Sequence, residues 1–185
     1  MRARAPWLLL PVLGAPVAHG PVLSGDLLPV LARPLDLGLT LRGRRVFGDN
    51  KTWRGALVMG TGTVAASAAL HRSSWFRDRL PEPVRDAGPW RYGPLLALGV
   101  VGGELPNSFL KRRLGIKPGH QRWTPGGVTL VVFDQADFVL GVWLALLPVY
   151  RMPWRDVMRA FATVAAIHVG INVVGYAIGA RDRPV

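Results

Sequence analysis

The stretch VVFDQADFVLGVWLALLPVY, residues 131–150, decides the fold class. Its 20 residues are almost wholly apolar, and about 20 such residues are what a helix needs to cross the hydrocarbon core of a bilayer. Two carboxylates, Asp134 and Asp137, nonetheless stand just inside its start. At i and i+3 they project from one face of a helix. A charge in a span costs about 2.5–3.5 kcal/mol on insertion scales and usually faces a cavity or a partner. Two acids on one face also repel, unless a cation lies between them. Magnesium typically takes one or two carboxylates together with substrate phosphates. A helix cap near the interface, or pairing with an arginine, explains the same two residues equally well on this stretch alone.

Four further apolar segments flank it, over residues 5–33, 53–70, 92–109 and 157–178, and the quoted span itself extends over 128–150. Pro11, Pro16, Pro21 and Pro29 interrupt the first, and Asp26 lies within it, which predicts a broken or re-entrant segment. Its basic start and small-residue end imitate a signal peptide, but the remaining segments would still need a membrane, so it reads as a retained span. The expected fold is therefore all-α: a single domain over 1–185, built as an integral membrane bundle of about five transmembrane helices with basic loops. Half of the residues are hydrophobic and only 18% are charged, below the roughly 25% of soluble domains. No cysteine is present, which excludes disulfide frameworks and thiolate metal sites. Net charge is +12. The basic residues sit in short loops between spans, which argues against nucleic acid and for anionic lipid or a phosphorylated substrate. The bias of Lys and Arg among the loops places the first and third loops in the cytoplasm.

Polar clusters gather at the span ends. FGDNKTWRG, residues 47–55, sets Asp49, Asn50, Lys51, Thr52 and Arg54 directly before the second span. Gly48 to Asn50 reads as a turn and Thr52 as a helix cap. Lys51 and Arg54 then lie at a helix N-terminus, which already attracts anions. Near the end of the third span, Glu104 is a further carboxylate at membrane depth, followed by Ser108, Lys111, Arg112 and Arg113. A basic cluster at a membrane boundary suits phosphates, although it is also an ordinary cytoplasmic flank. Gly126 and Gly127 after Pro125 would let backbone N–H groups approach an anion. His168, Asn172 and Tyr176, each four apart, form a polar stripe on the last span. Walker, G-x-S-x-G and H-E-x-x-H motifs are absent.

Taken together, SFLKRRLGIKPG, TPGG and FDQADFVLG, between Ser108 and Gly141, resemble the signature of the CTP-dependent cytidylyltransferases that make CDP-activated lipids. The chain is most similar to their small five-span branch, the CDP-archaeol synthase family, and FGDNKTWRG and the final polar stripe fit that branch too. The resemblance implies transfer of CMP from CTP to a lipid phosphate, with release of pyrophosphate and use of Mg2+. By that resemblance Asp134 and Asp137 hold the metal, with Glu104 as a candidate third ligand. Lys111, Asp134 and Asp137 are the candidate catalytic residues. Asp49, Asn50, Lys51, Thr52, Arg54, Ser108, Lys111 and Arg112 are the nucleotide- and phosphate-binding set. Glu104 stands where the family commonly has aspartate, and Pro118 where the larger enzymes have one. The resemblance implies CTP, a lipid phosphate and membrane lipids as partners, and a multi-pass protein of the cell (inner) membrane with its active site facing the cytoplasm; the residues leave the oligomeric state open, a homodimer being one option. The rival from another class is a small proton or ion transporter, using Glu104, Asp134, Asp137 and His168 as a relay.

Overall fold

The computed structural model describes residues 5–117 and 137–177, and it is mostly helical. The described residues begin with α1 (Ala5–Leu9), a 3-10 turn (Leu10–Leu13) and α2 (Gly14–Ser24). A loop follows, holding a 3-10 turn (Pro29–Leu31) and a two-stranded antiparallel hairpin, β1 (Thr40–Leu41) and β2 (Arg44–Arg45), with Thr40 opposite Arg45. Then come α3 (Trp53–His71), two short helices α4 (Ser74–Arg77) and α5 (Glu82–Ala87), and the long α6 (Pro89–Arg113). α7 (Asp137–Leu146) and α8 (Trp154–Ala177) complete the described residues.

The first segment differs from its expected extent. Its helix ends at Ser24 rather than near residue 33, and residues 25–28 form a turn with Asp26 and Leu28 at positive φ. A break is there: Pro11 lies at the start of the 3-10 turn between α1 and α2, whereas Pro16 and Pro21, also expected to interrupt the segment, lie within α2. Even so, Pro6–Ser24 is, among the described residues, the one helical run that is both long and apolar enough to cross a membrane. α3, α6 and α8 have 19, 25 and 24 residues, long enough to span but more polar. The quoted stretch enters the described residues at Asp137, the first described residue of α7.

Small residues bring the helices together. A Cβ added at Gly14 would lie 2.2 Å from the Gly62 carbonyl oxygen, so α2 and α3 touch backbone to backbone. One added at Gly141 would lie 2.2 Å from the Gly99 carbonyl oxygen, which joins α6 to α7 in the same way. Close approach through small residues is how helices associate in lipid, where burial of apolar surface gives no drive. The layer order is therefore α2–α3–α6–α7, with α8 against α7 and α1. Leu8, Phe76, Leu80, Tyr92, Leu96, Val139, Val142, Leu146 and Val157 form a buried cluster, and the Tyr92 hydroxyl donates to the Leu8 carbonyl. Val17, Leu98, Leu144 and Ile167 point outward, while Thr63, Ser67, His71, Ser108 and Arg112 are buried. Apolar groups outside and polar groups inside is the distribution a lipid surround favours. The protein is a membrane helical bundle.

Candidate active site

The loop before α3 is built around Asp36, whose side chain is 1% exposed. Its Oδ2 accepts the backbone N–H of Phe47 at 2.9 Å and of Gly48 at 3.1 Å, and its Oδ1 accepts the N–H of Gly38 at 3.1 Å and a guanidinium N–H from Arg45. Burial by itself raises the Asp36 pKa. The hydrogen bonds from Arg45, Phe47, Gly48 and Gly38 outweigh it and hold the carboxyl well below the usual carboxylate range. The loop closes on itself where the Leu35 N–H meets the Lys51 carbonyl (2.7 Å) and the Trp53 N–H meets the Arg33 carbonyl (3.0 Å). Sequence reasoning passed over Asp36. Its signal was that it is the one acid between residues 27 and 48, in a loop otherwise basic.

α3 starts where the sequence predicts. Thr52 is its N-cap, with an extended backbone and Oγ1 accepting the Gly55 N–H at 3.1 Å. Gly48 to Asn50 is the expected turn, and the Lys51 N–H closes on the Gly48 carbonyl at 3.3 Å. Lys51 and Arg54 both have acidic partners. Lys51 pairs with Glu104 of α6, and Arg54 with Asp26 at 2.6 Å and the Leu27 carbonyl at 3.1 Å. Asp49 is exposed and takes the second arm of Arg45. Asp49, Asn50, Lys51, Thr52, Arg54 and Glu104 share a cavity of about 490 Å³. Leu23, Met59, Val101 and Leu105 form its apolar wall, between α2, α3 and α6, and His19 adds an imidazole.

α6 carries the second group of candidates. Glu104, Ser108 and Arg112 recur every four residues, and Asn107 and Lys111 form the adjacent row. The helix ends in a Schellman turn: the Ile116 N–H reaches the Lys111 carbonyl at 2.9 Å, the Gly115 N–H reaches the Arg112 carbonyl at 3.1 Å, and Gly115 has φ +73°. Lys111, Arg112 and Arg113 thus occupy the last turn, where cations complement the helix dipole. Arg113 staples the loop to α6, with Nη2 donating to the carbonyls of Arg45 (2.6 Å) and Arg44 (3.0 Å), and Nη1 to that of Leu41. Arg44 returns a bond to the Arg113 carbonyl. Arg112 does something else. It is 7% exposed, and its Nε and Nη1 are buried without a hydrogen-bond partner among the described residues. A buried guanidinium with unused donors is costly unless an anion completes it.

Asp137 is the first described residue of α7. Its Oδ2 accepts from Asn107 Nδ2 at 2.9 Å, and its Oδ1 lies 2.8 Å from the Phe138 N–H. α6 therefore faces the loop through Glu104 and α7 through Asn107. The expected third metal ligand, Glu104, is committed to Lys51 in this structure. Among the described residues no group of three or more His, Asp and Glu side chains clusters as a metal site. Asp134, Gly126 and Gly127 lie outside the described residues. So do the side chains of His168 and Asn172, whose backbone belongs to α8, while Tyr176 is exposed. Asp137 and the Asn107 amide carry oxygen atoms of the kind a hard divalent cation accepts, and Arg112, with Nε and Nη1 unpartnered among the described residues, suits the phosphates that would complete its shell. These residues fit a hard divalent cation beside a phosphate.

The family model described as CarS-like, CDP-archaeol synthase, matches residues 4–185. The chain belongs to the CDP-archaeol synthase family. It is 36% identical over 187 residues to the CDP-archaeol synthase of Halobacterium salinarum, covering 97% of this chain and 94% of that one. It is 33% identical to that of Aeropyrum pernix (96% and 95%) and 32% identical to that of Pyrococcus furiosus (96% and 95%). The fold is similar to a solved intramembrane enzyme for archaeal membrane lipid biosynthesis, with a TM-score of 0.66 and 31% identity over 90% of this chain and 91% of that one. The protein is accordingly an intramembrane nucleotidyltransferase of the CDP-lipid-forming class, as its motifs implied.

Proposed function

We propose that this protein transfers CMP from CTP to the phosphate of a glycerol ether or ester lipid, giving a CDP-lipid and pyrophosphate. One observation carries the reading. A single cavity joins a basic, helix-capped rim (Lys51, Thr52, Arg54) to an apolar wall (Leu23, Met59, Val101, Leu105). A lipid phosphate needs both, with its head group at the rim and its chains against the wall. An oxygen of the lipid phosphate attacks the α-phosphorus of CTP, that P–O bond forms, and the bond to the β-phosphate oxygen breaks as pyrophosphate leaves. The protein's part is to hold the two anions in line and balance their charge. Lys51 and the N-terminus of α3 meet one phosphate, and Arg112 and Lys111, one turn beyond Ser108, meet the other. Magnesium, held by Asp137 with Asp134, would neutralise charge on the triphosphate. A proton relay through Glu104 fits less well, because Lys51 occupies that carboxylate.

The loops joining α2 to α3 and α6 to α7 carry this chemistry, so we place them in the cytoplasm, where CTP is. The test is pyrophosphate release by purified protein given CTP, magnesium and a panel of lipid phosphates, with ATP and GTP as controls. CTP-specific release with one lipid, lost in Asp137→Asn, supports the reading and names the acceptor. A folded protein that releases none with any lipid overturns it.

A further inference from the structure

The end of the bundle opposite the candidate active site holds a second cavity, of about 350 Å³. α3 separates the two, its 19 residues spanning about 28 Å. Arg72, Arg77 and Arg85 line the cavity with His71 and Trp90, and no carboxylate does so among the described residues. It is framed by the last turn of α3 and the first turn of α6. That α6 terminus has Gly88 as N-cap with no side-chain cap bond, and no acid in its first turn. Pro89 has no N–H, and those of Arg91 and Tyr92 donate to the Gly88 carbonyl, so the terminus offers an anion the Trp90 N–H and its positive dipole end.

His71 supplies the independent observation. It is 7% exposed and its Nε2 is buried without a hydrogen-bond partner among the described residues. Its other nitrogen, Nδ1, lies 3.0 Å from the Ser67 carbonyl oxygen. A carbonyl only accepts, so Nδ1 carries a proton, and in the neutral ring Nε2 offers a lone pair to a hydroxyl. Phe76 and Tyr92, with ring centroids 5.5 and 5.6 Å away, hold the imidazole in place. The arginines are only lightly committed. Arg77 donates to the His71 carbonyl, Arg85 lies 3.7 Å from Asp86 with both side chains exposed, and Arg72 has no ion pair among the described residues.

We propose that this cavity binds a hydroxyl-bearing phosphate, its anionic oxygens on Arg72, Arg85 and the start of α6, and its hydroxyl on His71 Nε2. The surroundings put it at head-group depth. Trp90 is 75% exposed beside it, and Arg79 stacks over Trp75 at 4.2 Å, the aromatic and arginine pattern of a membrane interface. A lipid head group and a free phosphate share the required chemistry.

The full chain is reconstituted in phosphatidylcholine nanodiscs, and its apparent Tm is read in three arms: no addition, phosphatidylglycerol in the disc, and inorganic phosphate in solution. Arg72→Gln and Arg85→Gln, both at exposed positions, accompany the wild type. A rise of about 3 °C or more in the wild type, lost in both variants, is expected. If it comes with phosphatidylglycerol the ligand is a lipid, and if it comes with inorganic phosphate alone it is a free anion. Absence of a rise in both arms, or an equal rise in the variants, overturns the proposal. CTP-dependent turnover, read in separate discs that also hold the acceptor lipid phosphate, should stay at the wild-type level in both variants, because neither residue lines the candidate active site.

Discussion

Asp36→Asn should open the loop that carries Lys51 without disturbing the helices. The carboxylate takes three backbone N–H groups and Arg45 on its two oxygens. An amide keeps one oxygen. Turned toward Phe47 and Gly48, it sets its NH2 against the Gly38 N–H and Arg45; turned the other way, it sets it against Phe47 and Gly48. Two donors lose their acceptor in either case. Bonds to a charged group contribute about 1.5–3 kcal/mol and a stranded buried donor costs about 1–3 kcal/mol, so the closed loop should lose about 3–4 kcal/mol. Each 1.4 kcal/mol is tenfold, so opening should rise by about 10²–10³. Hydrogen exchange of the purified protein reads this directly: peptides covering residues 34–52 should exchange faster by that factor, and peptides within α6 should not change. The pH dependence follows the same group. Its folded pKa is depressed, so its contribution is fully present above its unfolded value, about 3.9, and is lost as pH falls below that. Protection of the loop should therefore be constant from neutral pH down to about 4. Unchanged exchange in Asp36→Asn, or a change spread equally over α6, would refute this view of the loop.

Lys51→Met and Glu104→Gln separate phosphate binding from metal binding. If Lys51 meets phosphate, its loss should lower turnover about 100-fold, while Glu104→Gln, which frees the lysine, should stay within about 10-fold; equal losses in steady-state assays would assign Glu104 to the metal. Arg112→Lys keeps the charge and removes the fork, and should raise the KM for CTP about 10-fold or more; an unchanged KM would mean that no phosphate completes Arg112. Gly141→Leu places a side chain where the Gly99 carbonyl oxygen is 2.2 Å from the new Cβ, so the α6–α7 contact must part, at a cost of about 1–3 kcal/mol or more; an unaltered apparent Tm would show that the contact is looser than described.

The helices were legible because apolar runs of span length punctuated by basic loops have few other solutions in lipid. The cap at Thr52 and the turn before it were legible because both are local, set by residues within three positions. The extent of the first segment was not. Its apolar composition continues to Leu31, but the helix ends at Ser24, where Gly25 caps it and Asp26 turns to positive φ, and hydropathy does not register backbone breaks. The roles within KRR were not legible either. Three consecutive basic residues point in three directions on a helix, and only the fold decides that Arg113 grips the loop while Arg112 is buried with unused donors. Asp36 and the Lys51–Glu104 pair were hidden for a similar reason, since their partners are distant along the chain.

The fate of label from CTP separates CMP transfer from any other use of the nucleotide. Purified protein would be incubated with magnesium, the acceptor lipid phosphate and CTP labelled at either the α- or the γ-phosphorus. Transfer of CMP predicts that α-label enters the lipid phase in step with pyrophosphate release, and that γ-label stays wholly in the aqueous phase. γ-Label in the lipid, or release of pyrophosphate with no label in the lipid, would contradict it.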